Sequence, residues 1–592
     1  MQVVRCSAIT LATMLLAACG GSGGYRGVEP IAPPPPTPAP TPTPTPTNST
    51  ITNLTADQSF GGPAATSGSE VNLTSGTTVR SGGAPASLSV SYNAAARSYT
   101  LVLGDRAQTF AQSDRSESPT TGEAVYQKST DQGRDRLTLV TTPYSGDTSN
   151  RYVGLGFWQR TNLTNDRQTD QLTTFVYGLD TPATAMPRSG RANFAIDVFG
   201  ASTVPGFEPS VFQGLGSFNV DFLAGIFSTQ TYLTERGLLT GSGVTGGGIE
   251  LIGAGRLSSG DSTFSGNVTV GGRNANLSGV LSGRFYGPGA DELGASFSAT
   301  NADGATATGS FTGQRATGAP VNLTLTNMVT TQLFYAQGTA LFLQTIDGQA
   351  GANASRYTMT GQLNDRTSGN LSFGPGLSNM PGGEFTTASI VPGGDPNFTL
   401  YEKRFGDRDV RLELYKVGEA NRELALTFTS LGRWQSSDRN NVVTERQYHH
   451  FVYGLETPAR LLAARTGSAS YDGIVYGAGG SRATGAHYDV RGTSRFDVDF
   501  SNQSYSGALA LNGRNGSEAV DFGSYGFSGR LSAWTKESTA TLMHGTTGVG
   551  ELKTQFYGPA GEEIGGSFGL VVPQEVHAGG IVIGGATVAR RR

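Results

Sequence analysis

From residue 86 onward the chain alternates apolar with small or polar residues. Ala86-Ser87-Leu88-Ser89-Val90-Ser91-Tyr92 does so with a period of two, and 98–103 repeats the pattern. Such alternation predicts half-buried strands, with the first strand expected near Leu88. Segments 126–128, 136–139, 152–158 and 175–179 read as further strands, so 80–183 is expected to form one mixed, mainly antiparallel subdomain. A second run opens at Gly190. Phe218, Val220 and Phe222 fall on one face there, and Asn219 and Asp221 on the other. Short strands follow around 225–233, 247–255, 261–270, 276–286, 291–300 and 305–313. Eight strands in about 125 residues, with Gly-rich turns and no helix to cover an edge, predict a closed barrel. A barrel of that size is filled by side chains or holds one small ligand at most.

The pattern then repeats. Phe285-Tyr286-Gly287-Pro288-Gly289-Ala290-Asp291-Glu292-Leu293-Gly294-Ala295-Ser296-Phe297 returns as Phe556-Tyr557-Gly558-Pro559-Ala560-Gly561-Glu562-Glu563-Ile564-Gly565-Gly566-Ser567-Phe568. Phe175-Val176-Tyr177-Gly178-Leu179-Asp180-Thr181-Pro182 returns as Phe451-Val452-Tyr453-Gly454-Leu455-Glu456-Thr457-Pro458, and Trp158 as Trp434. Matches at nearly constant offset signify internal duplication. The expected fold is all-β with minor helix: two homologous lobes, each a mainly antiparallel handle domain plus an eight-stranded antiparallel barrel. Expected boundaries are 80–186 and 187–316 for the first handle and barrel, and 317–462 and 463–592 for the second. The lobes are expected to fold separately, and to move relative to one another unless their interface is large and apolar.

Composition adds a compartment. Glycine supplies 85 of 592 residues, which suits many tight turns. The formal net charge of −4 argues against a nucleic-acid partner, whose phosphates require a basic patch. Residues 1–18 carry Arg5 and an apolar run ending in Leu16-Ala17-Ala18-Cys19-Gly20, which reads as a signal peptide whose end resembles a bacterial lipobox. Cys19 is the expected lipid attachment site, and Gly20-Gly21 after it fits the outer membrane. The other cysteine, Cys6, leaves with the signal, so the mature chain has no disulfide. Residues 19–50 form a Gly- and Pro-rich stalk; its 30–46 run would extend roughly 50 Å as polyproline II.

Catalytic signatures are nearly absent. The Gly-x-Ser-x-Gly match at Gly20–Gly24 sits in the stalk, without the strand-to-helix turn of a nucleophile elbow. All five histidines (His449, His450, His487, His544 and His577) lie in the second lobe. His449 and His450 take the places of Thr173 and Thr174 and, as neighbours on a strand, face opposite sides. They are expected to be exposed polar positions rather than metal ligands. The paired acids Asp291-Glu292 and Glu562-Glu563 read as parts of a hairpin corner. No enzyme activity, metal or cofactor is expected. Binding through loops is what is left, and the informative loops are those the lobes do not share. Phe207, Glu208 and Phe212 in one loop, with Leu238 and Leu239 in another, are the candidate ligand contacts.

The lipobox, the Pro-rich stalk and the repeated Phe-Tyr-Gly-Pro motif together resemble the transferrin-binding protein B group of surface lipoproteins, over about 80–575. The resemblance implies two lobes of handle plus eight-stranded barrel on a lipidated N-terminus. It also implies exposure on the outer membrane of a Gram-negative cell and capture of an iron-, haem- or other host-protein ligand, with a TonB-type transporter as possible partner and a monomeric state. The chain departs from pathogen members of the group in lacking disulfides and in using Arg far more than Lys. The alternative reading is a structural, adhesive or shielding lipoprotein with no specific soluble ligand.

Overall fold

A computed structural model describes residues 47–592 apart from 119, 131–132, 145–147, 244–247, 273–274, 319–320, 347–348, 374–382, 407, 440–442 and 533–536. The signal segment, Cys19, Gly20–Gly24 and the Pro-rich run lie outside the described residues.

Four antiparallel sheets follow one another. A nine-stranded sheet from Gln58 to Gly178 leads into a closed eight-stranded barrel from Arg191 to Arg315. An eight-stranded sheet from Gln332 to Gly454 leads into a second closed eight-stranded barrel, Ser468 to Arg591. Each barrel closes by pairing its first strand with its last, Val198 opposite Phe311 and Val475 opposite Thr587. Both interiors are filled by side chains. Phe218 and Phe227 stack at 4.7 Å in the first, and Phe264 and Phe285 pack beside them at 5.3 Å. The duplicated Phe297 and Phe568 point into these cores at 1% and 0% exposure. The single α-helix among the described residues, Ala459–Ala463, is five residues long.

Strands begin at Gln58, well before Leu88. The segment Gly61-Gly62-Pro63 has the composition of a loop, yet the strand Gln58–Asn72 is central to its sheet. It pairs with Thr77–Asn93 on one side and, from Ala64 onward, with Arg167–Gly178 on the other. Pro63 therefore sits where only one side of the strand is paired, a position that tolerates its missing N–H. Ahead of each such strand stands an asparagine with the same job. Asn48 accepts from the backbone of Thr55 and Ala56 and donates to Ala56 O and Gln58. Asn322 does the same for Val329, Thr330 and Gln332. The duplication thus starts earlier than the sequence motifs suggest.

The duplicated motifs meet in space. The backbone of Thr181 donates to Phe285 O at 3.0 Å and that of Gly287 to Leu179 O at 2.9 Å; Thr457 and Gly558 repeat both bonds in the second lobe. Glu292 and Glu563 are not mere hairpin corners. Each is buried and accepts three consecutive backbone N–H groups of its handle, Arg151 to Val153 and Thr427 to Thr429, at 2.7–3.0 Å. These carboxylates bolt handle to barrel. Burial raises both above the usual carboxylate value, Glu563 to about 7, against the pull of those donors.

The lobes are packed on each other. Arg191 and Asp221 form a buried ion pair at 2.9 Å, and Arg191 also donates to Val321 O and Thr324 of the second lobe. Ile226 of the first barrel packs with Phe428 and Tyr557 of the second lobe. The α-helix brings Arg460 to Glu250 at 3.3 Å. This contact departs from the expectation of loosely joined lobes.

Candidate binding surface

The first barrel strand runs to Thr203 and the next starts at Ser210, so the connection between them is only 204–209. Phe207 lies in it, 49% exposed. Leu238 and Leu239 sit just past the strand Ile226–Gly237, 55% and 52% exposed. Part of their loop, 244–247, lies outside the described residues.

Phe212 is a correction. It lies within the strand Ser210–Asp221, is 1% exposed, and stacks on Phe297 at 6.2 Å inside the barrel. The Gly- and Pro-containing neighbourhood made 200–216 read as one long loop, but alternation resumes at Ser210 and carries Phe212 inward. Glu208 is also not simply a free loop charge. Its carboxylate accepts the backbone N–H of Leu239 at 2.5 Å and of Thr240 at 2.6 Å, plus the Thr240 hydroxyl at 3.0 Å. The Thr240 N–H is the largest of the effects that lower its pKa below the usual value. Glu208 therefore fastens one candidate loop to the other, fixing the spacing of Phe207, Leu238 and Leu239.

The handle completes the surface. Its long hairpin, Gln58–Asn72 and Thr77–Asn93, lies along the barrel, with Thr78 N donating to Phe207 O and Gly206 N to Thr78 O, both at 2.8 Å. Ser81 donates to Gly304 O at 2.6 Å. Gly76 takes φ +70° at the hairpin turn, where a side chain would be strained, and an added Cβ would stand 3.3 Å from the Leu239 methyl. The hairpin exposes Leu73 and Val79, at 41% and 44%. These two were not read from the sequence, because neither stands in a strongly apolar segment and only the fold brings them beside Phe207. Leu73, Val79, Phe207, Leu238 and Leu239 thus belong to one end of the first lobe. At the corresponding hairpin the second lobe has small residues, Ala350, Gly351, Ala352 and Ala354.

His449 and His450 are the other correction. Both are buried, at 0% and 2% exposure, because the strand Val443–Gly454 is covered on both faces. Burial holds His449 down at about 4, and His450 well below its usual value. They do face opposite sides, His449 toward Phe342 and Gln447. Among the described residues no group of three or more His, Cys, Asp or Glu forms a metal site, and no helix is long and apolar enough to cross a membrane.

Two lobes, each a handle sheet bolted to a closed barrel by a buried glutamate, define the class of protein. Residues 464–591 match the family model described as the C-lobe and N-lobe beta barrels of Tf-binding protein B. Transferrin-binding protein B of Haemophilus influenzae (strain 86-028NP) is 26% identical over 200 residues, which is 30% of this chain and 30% of that relative. Among solved structures, isotype 1 transferrin-binding protein B of serogroup B Neisseria meningitidis is 16% identical, covering 77% of this chain and 89% of that one at a TM-score of 0.24. The haemoglobin receptor HpuA of Kingella denitrificans is 14% identical, covering 44% and 86% at a TM-score of 0.23. The chain is similar to transferrin-binding protein B, and its described residues form two lobes, each with a closed barrel.

Proposed function

We propose that this chain is a lipid-anchored outer-membrane protein that captures a macromolecular, iron- or haem-carrying ligand through the end of its first lobe. The observation that supports this reading is the set of exposed apolar side chains, Phe207, Leu238 and Leu239 with Leu73 and Val79, held on hydrogen-bonded backbone by Glu208 and Thr78. Exposed apolar groups on a preorganised frame are the kind of residue that anchors protein interfaces, because little ordering cost is left at binding. The named relative with which the chain shares 26% identity is a transferrin-binding protein, which makes an iron-carrying protein the first ligand to test. Cys19 supplies the anchor in this reading, 19–46 the spacer, and a TonB-type transporter the onward partner.

The test is capture from host fluid or growth medium on immobilised protein, with a variant carrying Phe207→Ser, Leu238→Ser and Leu239→Ser run in parallel. The reading expects a defined protein retained by the wild type and lost from the variant. Nothing specific retained by either would favour the shielding role. Equal retention would move the site elsewhere.

A further inference from the structure

The two lobes differ most tellingly at the seam between handle and barrel. In the first lobe that seam is aromatic. Phe157 of the handle meets Phe199 of the barrel edge-on at 4.7 Å, and Tyr144 packs on the same ring at 5.2 Å. In the second lobe the corresponding positions hold Arg433 and Tyr476. Arg433 is 7% exposed, lies 4.2 Å over the Phe398 ring and 5.1 Å over Tyr476, and donates to Glu413 at 2.9 Å. Where the first lobe has Thr174, the second has His450.

His450 faces this seam. Tyr448 and Val452, two positions either side on the same strand face, pack with barrel residues Ala478, Val582 and Ala586. In register, Thr339 lies opposite His450 on one side and Arg433 on the other. The imidazole is 2% exposed and its Nδ1 finds no hydrogen-bond partner among the described residues. Burial keeps it neutral, and Arg433, His449 and His487 add to that effect.

Among the described residues the carboxylates Glu413, Glu423 and Asp395 around the seam already have partners. The strand Gln332–Ile346 contributes uncharged Gln337 and Thr339, and Ile581–Arg591 contributes apolar Val582, Ala586 and Val588. Glu413 already binds Arg433 and Arg411. The Tyr476 hydroxyl donates to Glu423 at 2.7 Å, and Asp395 is taken by Arg491. His487 stacks on Tyr448 at 4.2 Å at the seam's edge, with Asp489 nearby. Ser567, on the strand Glu563–Val571, is uncharged.

We propose that this seam is an acid-weakened joint: in mildly acidic surroundings a proton on His450 sets an imidazolium beside Arg433, and the second handle parts from its barrel more readily than the first. The direction follows from linkage. The opened seam takes up a proton below about pH 6.5, whereas the closed seam excludes it, so this group favours opening in acid, by up to about tenfold per pH unit. Glu563 works in the opposite direction between about 7 and 4.5, since its buried carboxyl is the group that keeps a proton when closed. Glu292 acts the same way in the first lobe, so this opposing effect does not distinguish the lobes.

The experiment is hydrogen–deuterium exchange of the full chain at pH 7.5, 6.5 and 5.5, with exchange times scaled to the chemical rate at each pH. Relative to the first lobe, whose glutamate effect is shared, opening in peptides from Thr429–Arg439, Val443–Gly454 and Ser468–Ser481 should rise about fivefold between pH 6.5 and 5.5. Peptides from Val153–Thr164 and Arg191–Thr203 carry the glutamate effect alone and supply that reference. His450→Thr, which installs the first lobe's residue, should abolish the rise, and His449→Thr should keep it. Should the threonine variant fail its melt at pH 7.5, His450→Gln, neutral at every pH, gives the same reading. No rise, an equal rise in both lobes, or a rise that survives the loss of His450 would overturn the proposal.

Discussion

A carboxyl group that takes three backbone N–H groups, as Glu292 and Glu563 do, accepts through both oxygens whether ionised or protonated, and an amide nitrogen in place of one oxygen turns an N–H against an N–H. Glu563→Gln should therefore cost about 1–3 kcal/mol at pH 5. The wild-type side chain also titrates. Folded, it keeps its proton up to about pH 7; unfolded, it loses it near 4.5. Its contribution is therefore fullest below 4.5 and declines as pH rises through 7, by about 3 kcal/mol at 1.36 kcal/mol per unit. Because glutamine has no such slope, the gap in melting temperature between wild type and Glu563→Gln should narrow from pH 5 to pH 8, and a gap that widens would contradict the assignment. Phe212 makes the complementary case. As a core ring stacked on Phe297, its replacement by Ala should cost about 3–5 kcal/mol, measured by chemical denaturation; a neutral effect would return it to the loop. The duplicated acids were plain in the sequence, but their partners, backbone groups of Arg151 to Val153, carry no side-chain signature, so the clamp was not.

At the level of elements, the barrels were legible because their strands alternate cleanly and their turns are punctuated by glycine. The strand Gln58–Asn72 was not, since Gly61, Gly62 and Pro63 disguise the start of a strand that is paired on one side there and on both sides from Ala64 onward. The strand Val443–Gly454 misled in another way. Its polar run, Gln447 to His450, looks solvent-facing, yet sheet and barrel cover it. Close approach of handle to barrel depends on the glycine in each Phe-Val-Tyr-Gly repeat. A Cβ at Gly178 would stand 2.2 Å from Tyr152 O and 2.7 Å from the Tyr286 ring; at Gly454 it would stand 2.2 Å from Phe428 O. Gly454→Ala should push the second handle off its barrel and cost about 1–3 kcal/mol, visible as an earlier melt. A harmless alanine there would mean the contact is looser than the geometry shows.

The two-lobed plan of the whole molecule was readable from duplication alone; the fastening between lobes was not, because it joins residues far apart in the chain, and repeat positions such as Asp221 and Tyr557 carry no mark of the partner they meet. Asp221→Ala would strand Arg191 in a buried site and should destabilise the chain by about 3–5 kcal/mol, against little effect for the exposed pair Arg495–Asp497. Thermal melts of the two variants would show it. Three of the five named loop candidates (Phe207, Leu238 and Leu239) are exposed, while Glu208 braces them and Phe212 is core; Leu73 and Val79 join them only through the fold. The measurement that tests this account most directly is a titration of the captured ligand against wild type and the Phe207→Ser, Leu238→Ser, Leu239→Ser variant, with melts on both. The account predicts a loss of more than about 2 kcal/mol, roughly 30-fold in Kd, with an unchanged melt. Full affinity in a variant that melts like the wild type would contradict it.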